Sequence, residues 1–85
     1  MKRRQNFILG NYLIQAHRRY KYLELLAYKK MPDCQYELVA QQEKIPLKNF
    51  DQNILDAFIA GVDPLLSFLT PKPQLNMVQF DGSGF

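Results

Sequence analysis

The side chains best suited to chemistry in this chain are few and widely spaced. Its 85 residues hold one histidine, His17, and one cysteine, Cys34, so no His/Cys set of the kind that binds zinc can be assembled. His17 directly precedes Arg18, whose charge opposes protonation of the imidazole, and it reads as a surface residue of a helix rather than a general base. Cys34 follows Pro32-Asp33 at the start of a segment where a thiolate would be stabilised. No histidine is spaced to activate it, and it reads as a small, buried, inert thiol. Asp51, Asp56 and Asp63 lack the spacing of a carboxylate ligand set. The first and last suit helix capping and the middle one suits solvent. Gly10, Gly61, Gly82 and Gly84 form no phosphate-cradling loop. The expectation is a non-enzymatic protein with no catalytic residue, no cofactor and no metal.

Charge is the stronger signal. Residues 1–30 carry eight basic side chains, Lys2, Arg3, Arg4, Arg18, Arg19, Lys21, Lys29 and Lys30, against Glu24 alone, a net of +7. Residues 31–85 carry three basic and seven acidic side chains, a net of −4. A basic half joined to an acidic half suits contact with a polyanion or pairing between complementary surfaces. Tyr20, Tyr22 and Tyr28 interleave with the cations, so the same eight residues are the candidate nucleic-acid contacts. No helix-turn-helix, zinc-finger or aromatic RNA-binding signature accompanies them.

The element that would position these groups is the stretch Gln5–Met31. It is free of proline, and Leu9, Leu13, Ala16, Tyr20, Leu23 and Ala27 recur at the alternating four-three step of a helix seam. A second seam follows Ile8, Tyr12, Tyr22 and Leu26. The spacing predicts one long helix, weakened at Gly10 and ended by Pro32. Such a helix would be roughly 40 Å long at 1.5 Å per residue, longer than the roughly 31 Å globule that 85 residues make. Residues 34–44 hold good helix formers and read as a helix, with alternation at Tyr36, Leu38 and Ala40 leaving a short strand as the alternative. Asp51 as N-cap with Phe50 as a hydrophobic staple opens a helix whose stripe is Leu55, Phe58, Ile59 and Val62. Gly61 suits its end, and Asp63-Pro64 suits the start of a further short helix. Pro71 and Pro73 favour an extended form beyond it.

The predicted fold is all-α: a long N-terminal helix on two shorter helical segments, in a single domain over residues 1–70 with a basic leader at 1–4. An extended arm over 71–85 completes it. The surplus apolar surface predicts a structural or assembly protein, a small subunit of a larger complex such as a minor virion component. Leu9, Leu13, Tyr20 and Leu23 on the helix, and Leu75, Met77, Val78 and Phe80 on the arm, would face other protein subunits in a homo- or hetero-oligomer. The basic half would meet nucleic acid or an acidic protein surface. A nucleic-acid-binding regulator is the alternative, and a peripheral membrane binder using Arg3, Arg4 and Phe7 a further one. The apolar run after Lys2-Arg3-Arg4 is too short for a signal peptide, and no stretch is long enough to span a membrane. The expected location is intracellular, or within a virion particle.

Overall fold

Two dipeptides, Gly10-Asn11 and Tyr20-Lys21, decide the architecture. Each reverses the chain, and the stretch expected to be one helix is instead three strands. The computed structural model describes residues 4–68 and 73–75. Strands β1 (Arg4–Leu9), β2 (Tyr12–Arg19), β3 (Tyr22–Lys30) and β4 (Tyr36–Pro46) form an antiparallel sheet in the order of the chain. A helix, α1 (Gln52–Val62), follows after a 3-10 turn at Leu47–Asn49, and a second 3-10 turn spans Pro64–Phe68. The all-α expectation is thereby corrected, and so is the reading of residues 34–44 as a helix: strand β4 takes them up from Tyr36, after a turn that holds Cys34.

The physical reason is the period. Ile14 and Ala16 on β2, and Leu23, Leu25 and Ala27 on β3, recur at every second position and all five are fully buried, whereas Leu13 and Leu26, at the alternate positions, point to the other face and are only partly buried. Register places Ile14 opposite Ala27 and Ala16 opposite Leu25. The helical seam had selected Leu9, Ala16, Leu23 and Ala27, which do share the covered face, but through two chain reversals. It also selected Leu13, which lies on the other face, and Tyr20, which sits in a turn and is 75% exposed. Leu, Ala, Glu, Lys and Arg favour helices in isolation, but strand preference is set mainly by packing on a half-buried surface.

One face of the sheet is covered by α1. Leu55 and Ile59 are buried against Leu9, Ile14, Leu23, Leu25 and Ile45, with Phe7, Phe50, Phe58 and Leu75 packed around them. Asp51 caps the helix as expected: the Ile54 N–H donates to its Oδ1 at 3.2 Å. Gly61 does not end it. The helix continues to Val62, and the Asp63 N–H donates back to the Ile59 carbonyl at 3.2 Å. Asp63 then accepts the Leu65 N–H at 3.0 Å and opens the Pro64–Phe68 turn, in agreement with the sequence. Its Oδ2 also accepts the Tyr12 hydroxyl at 3.3 Å, tying the end of α1 to β2. Residues 73–75 begin the proposed arm on the body of the fold: Gln52 Nε2 donates to the Pro73 carbonyl at 2.8 Å. Among the described residues no helix is long and apolar enough to cross a membrane.

The turns are uneven in quality. Gly10 takes φ +58° at no steric penalty. The β3–β4 loop is a tight turn in which the Cys34 N–H donates to the Met31 carbonyl and the Met31 N–H to the Gln35 carbonyl. Pro32 presets the second turn position, and Cys34 takes φ +68°, where such turns usually carry glycine. Cys34 is therefore exposed at a loop tip, not buried. A methyl added at Gly10 would meet nothing within 4 Å, so substitution there tests backbone strain alone. Urea denaturation should show Gly10→Ala losing about 1 kcal/mol, and Cys34→Gly gaining about 0.5–1 kcal/mol.

Candidate functional site

The face of the sheet opposite α1 has no covering element among the described residues, and its side chains fall into rows. Register sets Ile8 opposite Leu13, Leu13 opposite Tyr28 and Tyr28 opposite Leu38, so one apolar row crosses all four strands. Ile8 is 69% and Leu38 46% exposed. The next row is amide-rich, running Asn6, Gln15, Leu26 and Gln41. The third begins Arg4, His17, Glu24.

Glu24 holds the charged row together. It is 5% exposed although it sits on the open face. Arg19 Nε donates to its Oε1 at 3.0 Å and Gln41 Nε2 to its Oε2 at 2.7 Å. The same Gln41 nitrogen donates to Glu43 Oε1 at 2.8 Å, which brings Glu43 of β4 onto this face at the end of the row. Around the cluster, Arg19, Tyr22, Glu24, Gln41 and Glu43 line an open depression of about 460 Å³. Burial by itself would raise the Glu24 carboxyl. The hydrogen bonds from Arg19 and Gln41, with the positive charge of Arg19 and of His17, outweigh burial and hold it below the usual glutamate range. Such a carboxyl stays ionised at neutral pH and accepts hydrogen bonds there, so it acts as a structural clamp rather than a proton donor.

β4 forms one edge of the sheet and is irregular along its length. Its register slips between Leu23 and Leu25 and again between Ala27 and Tyr28. Val39 falls in the second slip, and Lys44, in the first, takes φ +59°. Glu37, Glu43 and Lys44 are exposed on this strand. Bulges and charges of this kind keep an edge from pairing with another strand.

The sequence-predicted residues are redistributed. Leu9 and Leu23 are buried in the chain's own core, and Leu75 is partly buried against it. Leu13 lies in the apolar row. Tyr20 is at the β2–β3 turn, where Arg18 Nε donates to its carbonyl at 2.7 Å and Lys21 Nζ stands 5.5 Å from its ring. Met77, Val78, Phe80, Lys2 and Arg3 lie outside the described residues. The remaining cations form no continuous stripe. Arg18, Arg19 and Lys21 gather at the β2–β3 turn, while Lys29 and Lys30 end β3 roughly 25 Å away at about 3.3 Å per residue. His17 is half-buried on a strand between Arg4 and Glu24, not on a helix surface. Phe7 faces the core, so it is not presented to a membrane. Among the described residues no group of three or more His, Cys, Asp or Glu side chains is placed to hold a metal ion.

The apolar row and the Glu24 clamp escape a helical reading. Both follow from counting every second residue outward from Gly10-Asn11 and Tyr20-Lys21, which pairs Ile8 with Leu13 and His17 with Glu24. Comparison with known proteins finds no matching family model, no matching curated protein and no matching solved structure.

A carboxyl lowered on folding adds stability above its unfolded-state pKa and withdraws it as pH falls through the folded value. The Arg19 side chain is 66% exposed, so solvent screens the pair and the effect is modest. The urea midpoint of the wild-type chain should fall on acidification below the ordinary glutamate range. In Glu24→Gln it should start lower at neutral pH and fall less over the same interval.

Proposed function

We propose that this chain is a non-enzymatic assembly subunit that docks on another protein through the open face of its sheet. The observation that carries the reading is the row Ile8–Leu13–Tyr28–Leu38, which spans the sheet on the side away from α1. A sheet normally buries one face and wets the other, and a wetted face alternates toward polar side chains. Here an apolar row with a tyrosine at its centre is flanked by amides and then charges, the arrangement of an apolar patch with a polar rim found at protein interfaces. The helix-docking version of this role falls with the helix itself, and the docking element becomes the sheet. The division of the basic residues between two ends of β3 weakens the case for a single polyanion track.

A photo-crosslinking residue, p-benzoylphenylalanine, placed at position 8 should form a covalent protein adduct in the cells that produce the chain. The same residue at position 57, on the exposed side of α1, should form none. Absence of an adduct at position 8, or equal yield at both positions, overturns the reading.

A further inference from the structure

We infer that the occupant of the open face is a second copy of this chain, stacked face to face about a two-fold axis parallel to the strands. This rests on the docking role of that face and goes beyond it in naming the partner. A two-fold of this kind reverses each row. Ile8 of one copy then lies over Leu38 of the other, and Leu13 over the Tyr28 ring, so apolar side chains meet apolar or aromatic ones along the whole row.

The charges select this axis over its alternative. The third row runs from Arg4 and His17 on β1 and β2 to Glu24 and Glu43 on β3 and β4. It is basic on one side and acidic on the other. Reversal brings Arg4 over Glu43 of the second copy twice in each dimer, and His17 over Glu24, which is complementary pairing of a surface with itself. An axis perpendicular to the strands would place Ile8 on Ile8 and carry the two charged rows to opposite ends, unmatched. Either axis keeps the strands of the two sheets nearly aligned, the common geometry for sheets packed about 10 Å apart, so the choice between them rests on the charges.

The available area is adequate. Four strands at about 4.8 Å spacing and roughly 25 Å of strand length present about 480 Å² of projected face per copy. Two copies approach the roughly 1,000 Å² at which specific interfaces begin, before side-chain relief is counted. One competing way to join copies, pairing β4 edge to edge, meets two register slips and the charges of Glu37, Glu43 and Lys44. Pairing through the other edge, β1, would leave the row exposed and would be unaffected by Ile8→Glu on the open face.

Sedimentation velocity on the full chain over a concentration series, with far-UV circular dichroism as the folding control, tests this directly. The wild-type chain should reach the mass of two copies. Ile8→Glu, at an exposed position that leaves the covered core untouched, should remain folded and monomeric. Arg4→Glu and Glu43→Arg should each raise the dissociation constant roughly tenfold, and the double variant should recover most of the loss. A dimer that ignores Ile8→Glu, or charge variants that show no rescue in combination, overturns the proposal. So does a wild-type chain that stays monomeric throughout. If that monomer still crosslinks from position 8 in cells, to a product other than twice its own mass, self-pairing is wrong and the docking face stands. If position 8 crosslinks to nothing, both are wrong.

Discussion

Everything in this fold depends on seating Leu55 and Ile59 over the middle of the sheet. Ile14, Ala16, Leu23, Leu25 and Ala27 are fully buried, and α1 and its flanking turns are what cover them. Removing a Leu side chain from such a site typically costs about 2–5 kcal/mol, a large share of what a single small domain possesses. The Asp51 cap, the Phe50 contact and the Asp63–Tyr12 link all fix where α1 lies. They act together to hold one helix on one face, and among the described residues no element lies on the other.

The free face is held by different means. Among the described residues no layer covers it, and polar contacts within the sheet order it. Glu24 accepts from Arg19 and Gln41, and Gln41 reaches on to Glu43, so β2, β3 and β4 are laced across their surface. The apolar row on the same face has no such lacing, and Ile8 and Leu38 at its two ends are exposed among the described residues. The face is therefore ordered unevenly: polar contacts knit its charged end, and the apolar row lies at the other end of the strands.

Punctuation was legible in the sequence and the first half of the fold was not. Asp51 and Asp63-Pro64 act through local geometry, which a sequence states directly, whereas Pro32 marks a break that follows a strand and not the expected helix. The segment 5–31 contains only two β-branched residues, Ile8 and Ile14, within a background of Leu, Ala, Lys and Arg. Intrinsic preference there points to helix, and the seam through Leu9, Leu13, Ala16 and Tyr20 agreed with it. Against this stood alternation at Leu23, Leu25 and Ala27 and two turn-forming dipeptides, one of them Tyr20-Lys21, which carries no turn signature. The apolar row could emerge only after the register was known, since its four members come from four different strands.

The sheet runs β1 to β4 in the order of the chain, with α1 last. Each hairpin closes over a short loop, so strand pairing needs no distant partner and proceeds quickly. Until Leu55 and Ile59 arrive, however, the growing meander is greasy on both sides. Folding of this chain is thus completed only when α1, which follows all four strands, docks through Leu55 and Ile59, and a chain cut short before residue 59 would leave that face of the sheet uncovered.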